Sequence, residues 1–149
     1  MFNKDKMKAT GKVNVVVRDE NGKVKEEFTV PNLVVDDGLE YIAARMVDAS
    51  IPTAMSHMAV GTDNTAAGSS DTALGAEAAR VAFDSAPSVT ANSVAYVATY
   101  PAGTGTAALT EAGILNAGSG GTLLCRTVFS VINKGASDSM TITWTITIS

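Results

Sequence analysis

The chain of 149 residues has one cysteine, Cys125, and one histidine, His57. An internal disulfide is excluded, and Cys/His zinc sites are short of ligands. No run approaches the roughly 18 to 20 consecutive apolar residues that a membrane-spanning helix needs. Residues 1–8 carry lysines but no apolar stretch follows them, so a cleaved secretory leader is not expected. Aromatic residues make up 5% of the chain, too few for an obvious base-stacking platform.

Charge is scarce as well, and unevenly spread. Residues 1–30 hold seven of the eleven basic residues, against five acids, while the remaining 119 carry only Arg45, Arg80, Arg126 and Lys134 against ten acids. The basic residues lie in an amino-terminal segment of alternating sign, which speaks against nucleic-acid binding. A body this poor in charge suggests a surface covered by copies of itself or by another protein, since interface centres are depleted in charge.

The strongest positive signal is the stretch 139–149. Met140, Ile142, Trp144, Ile146 and Ile148 alternate with Ser139 and four threonines, the period of a strand with one face in a core. It reads as a long strand that closes a sheet.

In chain order, residues 1–10 read as a polar arm, frayed in a free monomer. Residues 12–18 and 23–30 read as a hairpin around Asn21-Gly22, with the two positive-φ positions of a type I′ turn. After Pro31 the period changes. Asp37 and Glu40 fit a capping box, and Leu39, Ile42, Ala43, Met46 and Val47 recur at helical spacing, predicting an amphipathic helix over about 38–49 that Pro52 ends. Tyr41 and Met46 belong to core packing in that helix rather than to a cofactor.

Residues 56–60 read as a short strand, 61–71 as a polar loop, 72–77 as one helical turn capped by Asp71, and 78–83 as a strand. From Ser93 onward the pattern predicts a meander: 93–100, 109–116, 122–130 and the final strand, joined by Gly-rich turns. The fold expected is mainly β, an antiparallel β-sandwich or jelly-roll-like domain with one amphipathic α-helix and an N-terminal β-hairpin. Its parts are an arm and hairpin over 1–30 and a β-rich body over 31–149, together one compact domain.

No catalytic, cofactor-binding or metal-binding residue is assigned. His57, beside Met58 and Val60, reads as a hydrogen-bonded structural histidine, and no Gly-x-Ser-x-Gly elbow accompanies it. Cys125 reads as a buried, inert thiol. Asp63, Asn64 and Asp71 lack the spacing of a calcium loop. Glu77 and Glu111 are the least loop-like acids and are expected in structural ion pairs, with Arg80 or Arg126 as mates. The Gly-Thr-Gly-Thr and Gly-Ser-Gly-Gly stretches match neither phosphate-binding fingerprint.

Seven segments then carry a resemblance: Asn-Leu-Val-Val-Asp-Asp-Gly-Leu at 32–39, Met-Ala-Val-Gly-Thr at 58–62, and Asp-Thr-Ala-Leu at 71–74 followed by Glu77 and Arg80. They continue with Tyr-Val-Ala-Thr-Tyr-Pro-Ala-Gly at 96–103, Thr-Glu-Ala-Gly-Ile at 110–114, Gly-Thr-Leu-Leu at 121–124 and Thr-Ile-Thr-Trp-Thr-Ile at 141–146. In this order they resemble small structural proteins of tailed-bacteriophage virions, over about residues 30–149. Similar segments occur in capsid decoration proteins and in tail collar or fibre-attachment domains.

The resemblance implies a non-enzymatic capsid decoration, or cement, protein. It would form a homo-oligomer, a homotrimer being the expected state, and bind the major capsid protein on a virion assembled in the host cytoplasm. The alternative is a tail collar, fibre-base or baseplate subunit with tail or collar proteins as partners. A reading from another class is a carbohydrate-binding adhesin, for which Tyr41, Tyr96, Tyr100 and Trp144 are the aromatic candidates. No cofactor, nucleic acid or membrane is expected.

Overall fold

The alternating stretch at the end of the sequence forms the predicted strand over Ser139–Ile148, but it lies in the middle of a sheet instead of closing one. The structure, a computed structural model, describes residues 7–47 and 52–149. Within them the chain runs β1 (Ala9–Arg18), β2 (Val24–Pro31), β3 (Leu33–Val34), α1 (Asp36–Ala44), β4 (His57–Gly61) and β5 (Glu77–Ala82). It continues with β6 (Ser88–Thr90), β7 (Ser93–Tyr100), β8 (Ala107–Leu115), β9 (Leu123–Lys134) and β10 (Ser139–Ile148). One sheet has the order β2-β1-β10-β7-β6 and the other β3-β9-β8-β4-β5, with antiparallel pairing throughout. The architecture is a β-sandwich with one short helix.

The inner faces supply the core. Val13, Val15 and Val17 of β1, Met140, Ile142 and Trp144 of β10, and Ala98 and Tyr100 of β7 meet Met58 and Val60 of β4, Leu109, Ala112 and Ile114 of β8, and Cys125 and Ile132 of β9. Burial of each large apolar side chain is worth about 1.5–3 kcal/mol. A polar contact also crosses this layer: the Tyr100 hydroxyl donates to the Met58 carbonyl at 2.6 Å. Burial raises the Tyr100 pKa well above its ordinary value, so the phenol stays a donor.

The amino-terminal hairpin is built into the sandwich: β1 pairs with β10 along its whole length and contributes three fully buried valines. Several expectations need correcting. Ala9 and Thr10, placed in the arm by sequence, already belong to that ladder; residues 1–6 of the arm lie outside the described residues. The turn between β1 and β2 is not type I′. Only Gly22 takes a positive φ, 79°, while the Gly22 amide donates to the Asp19 carbonyl and the Asp19 carboxylate accepts from the amides of Asn21 and Lys23. This is a three-residue loop in which one glycine supplies the left-handed position. The strands after Ser93 are not a simple meander either: β7 and β10 lie in one sheet, β8 and β9 in the other. Residues 72–77 form no helical turn.

The helix is shorter and faces differently than its periodicity predicts. It ends at Ala44, and residues 48–49 of the predicted span lie outside the described residues. Val35 occupies the N-cap with no side-chain bond, so the capping box of Asp37 and Glu40 does not form; the Asp36 amide finds the Ser69 carbonyl instead. Leu39 is 48% exposed and Met46 78%. The cause is Gly38, whose missing side chain lets the helix backbone approach the Leu124 carbonyl; any Cβ there would overlap that oxygen. This contact turns Tyr41 and Ile42 towards the sandwich and Leu39 away from it. The helix lies at the end of the sandwich where β9 begins and β10 finishes.

Tyr100→Phe removes the cross-sheet bond and leaves a buried carbonyl lone pair without its donor. It is expected to lower the unfolding free energy by about 1–2 kcal/mol. Urea denaturation should show an earlier midpoint at an unchanged slope.

Candidate functional site

Strand β8 switches sides part-way along. Leu109, Ala112 and Ile114 all face the core, which simple alternation forbids; the register shift between Leu109 and Glu111 against β9 resets the parity. Glu111, Gly113 and Leu115 are thereby turned to the outer face of their sheet. Residues 62–76, between β4 and β5, fold over that face. Leu74 packs there with Val35, Ala59, Leu115 and Leu123 in a second small core.

The covering segment is fastened by Glu111, which is fully buried. Its Oε1 accepts from the amides of Ala76 at 2.8 Å and Asp63 at 3.2 Å. Its Oε2 accepts from the amide of Gly75 at 3.0 Å and from Arg126 Nε at 2.9 Å. Arg126 Nη2 also lies 2.9 Å from Oε2 but out of line for a hydrogen bond, so that contact is charge against charge. The same guanidinium donates from Nη1 to Asp71 at 3.0 Å and stands 3.7 Å from Asp63. The Asp63 carboxyl is held below its ordinary pKa, first by the amide of Thr65. One buried cation thus gathers three carboxylates from a loop and a strand.

The ion pairs expected from sequence form, each acid with its own arginine. Arg80 grips Glu77 through Nε at 3.0 Å and Nη2 at 2.6 Å, and its Nη1 donates to the carbonyls of Ala117 and Gly120, both at 2.8 Å, pinning the turn before β9. Asp63 and Asp71, set aside as calcium ligands, converge on Arg126, whose guanidinium occupies their common centre. Among the described residues no group of three or more His, Cys, Asp or Glu side chains is arranged to hold a metal ion.

His57 is half-buried, with Nδ1 2.7 Å from the hydroxyl of Ser56. No carboxylate is hydrogen-bonded to its ring among the described residues. Cys125 is fully buried and its thiol pKa is pushed up by burial, which disfavours the reactive thiolate. The Asn32 amide, which the same thiol adjoins, has no conventional hydrogen-bond partner although it is buried.

A second buried ion, Lys134, was not singled out from sequence. It is 2% exposed and donates to the carbonyls of Asp138 at 2.7 Å and Pro101 at 3.1 Å. Burial lowers its pKa. The Asp138 carboxylate takes Lys25 of β2 at 2.6 Å and the Gly135 amide at 2.8 Å, which together hold its pKa below the ordinary 3.8. The hairpin is thereby tied to the β9–β10 turn.

A large concavity lies at the helix end of the sandwich. It measures about 450 Å³ and runs between α1, the segment before β4, and strands β6, β7 and β10. Its walls are almost wholly apolar, with Tyr41, Tyr96 and Arg45 as the polar exceptions. Among the described residues no helix is long and apolar enough to cross a membrane.

Comparison with protein-family models, with curated proteins and with solved structures returned no match.

Arg126→Met leaves the Glu111 carboxylate buried without its cation, a loss expected to cost about 3–5 kcal/mol. Limited proteolysis should then cut within residues 62–76 before any strand, whereas the parent chain resists there. Asp138 gives a pH test. Its folded pKa is depressed, so its stabilisation is present above the ordinary carboxylate pKa and is lost as pH falls through the lowered value. Melting temperature against pH should therefore converge for the parent chain and Asp138→Asn at acid pH, and separate towards neutrality with the parent higher.

Proposed function

We propose that this chain is a non-enzymatic structural subunit of a tailed-bacteriophage virion, a capsid decoration protein that cements the head through contacts with its own copies and with the major capsid protein. The observation that carries the reading is the outer face of the sheet β2-β1-β10-β7-β6. Across β1, β10 and β7 it reads Val16–Thr141–Thr99, Asn14–Thr143–Val97, Lys12–Thr145–Ala95 and Thr10–Thr147–Ser93. In these four rows it offers one charge, Lys12, and one amide, Asn14, and otherwise methyls and hydroxyls, with Arg18 at the far end of β1; this is the composition expected at the centre of a protein contact.

Two further features support the reading. The opposite sheet has the part of its outer face around Ala59, Leu115 and Leu123 covered by its own loop, which leaves less of that face for self-association. The segments that carry the resemblance to virion proteins also include four of the fastening residues, Asp71, Glu77, Arg80 and Glu111, but not Arg126 or Asp63. In a symmetric shell, weak contacts on such a face add through avidity, and no single contact has to be strong. Trp144 and Tyr100, two of the four aromatic residues an adhesin would need outside, are fully buried.

Light scattering on the purified chain is expected to report a homo-oligomer, the trimer being the state implied by the resemblance. Thr143→Arg on the outer face should dissociate it while leaving the circular dichroism of the sandwich unchanged. Quantitative mass spectrometry of purified virions decides the location. A copy number on the scale of the major capsid protein means the head, one on the scale of a tail ring means collar or fibre base, and absence from virions ends both readings.

A further inference from the structure

The apolar groove beside α1 has no part in the reading above. Its volume of about 450 Å³ falls in the range of small-molecule sites, roughly 300–1,000 Å³, which are mostly apolar with a few polar groups that fix orientation. The walls used in this argument are Tyr41 and Ile42 of α1, Met55, Val94 and Tyr96 of β7, and Ile146 of β10.

The three tyrosine hydroxyls of the protein have different fates. Tyr100 donates to the Met58 carbonyl, and Tyr41 accepts from the Met55 amide at 3.2 Å. Tyr96 is only 8% exposed, yet among the described residues nothing is hydrogen-bonded to its hydroxyl. Its ring is fixed against Phe83, with centroids 5.1 Å apart. The oxygen is not among the fully enclosed polar atoms without partners, so it is open to solvent, and Tyr96 is one of the residues that line the groove. A buried tyrosine hydroxyl ordinarily has a partner, because leaving it without one is costly. Here no protein group fills that role, which leaves the hydroxyl to water or to the polar end of a ligand. Burial also raises the Tyr96 pKa, keeping the group a neutral phenol that can donate and accept.

We infer that the groove is a binding site for a small amphiphile: an aliphatic or aromatic body lies in the apolar trough and one uncharged oxygen, a hydroxyl or carbonyl, bonds to the Tyr96 hydroxyl. An apolar side chain from a second copy fits these walls less well, since it would fill the trough and leave the phenol unpaired. The inference does not depend on the virion assignment.

The test is calorimetric titration of the full chain with 1-octanol and, separately, with cyclohexane, which has the apolar body alone. Saturable one-to-one binding of octanol is expected. Tyr96→Phe, which deletes one oxygen, should weaken octanol about five- to tenfold, the worth of one hydrogen bond, and leave cyclohexane unchanged. Val94→Trp, filling the trough, should abolish both at unchanged circular dichroism. The inference is overturned if the parent chain shows no saturable octanol binding, or if Tyr96→Phe binds octanol as the parent does. It is equally overturned if light scattering shows that Val94→Trp dissociates an oligomer which itself excludes octanol.

Discussion

A carboxylate removed from water has to find its donors inside the chain, and Glu111 finds four: three loop amides and one arginine. Desolvating an acid costs several kcal/mol, which only a nearly complete set of charge-assisted bonds offsets. The arrangement works in both directions. The loop is ordered because the carboxylate needs its amides, and the carboxylate tolerates burial because the loop is there. A segment of fifteen residues with no helix or strand of its own is thereby tied to the sheet beneath it.

This fastening makes the two sides of the sandwich unlike. One sheet turns its outer face to a private covering, with Leu74 seated among Val35, Ala59, Leu115 and Leu123. The other keeps a threonine ladder facing outward, with charge confined largely to β1 and β2 at its margin. Edge strand β2 carries Lys25, Glu26 and Glu27 on exposed positions, a pattern that discourages open-ended pairing with another edge. The faces are thus differentiated by what each does with polar groups: one internalises them in pairs, the other spreads neutral hydroxyls over a flat area.

Much of this was legible from sequence where the signal is local. Residues 139–149 alternate cleanly and form a strand up to Ile148, 93–100 form a strand with the expected bounds, and a lone acid and a lone arginine in the apolar stretches around Glu111 and Arg126 pointed to structural ion pairs. What was not legible is non-local. Helical spacing marks an apolar stripe but not which side of it meets the body, and at α1 the close approach at Gly38 decided that. Alternation fails at β8, where a register shift against β9 changes the parity that places Glu111 outward. The meeting of Asp63, Asp71 and Arg126 joins a loop to a distant strand, and no spacing rule links them. Strands β3 and β6, of two and three residues, are too short to leave a period at all.

The pairing of β1 with β10 also constrains the order in which the molecule can be made. Ala9 sits opposite Ile148 and Val17 opposite Met140, so β1 leaves the ribosome long before the neighbour it pairs with, β10, exists. Until then three buried valines and the inner edge of the hairpin have no cover, and the sheet has a gap at its centre rather than at its rim. Closure of such a gap comes late and all at once, which makes assembly of this sandwich slow relative to its size and leaves the nascent hairpin the segment most in need of protection from neighbouring chains.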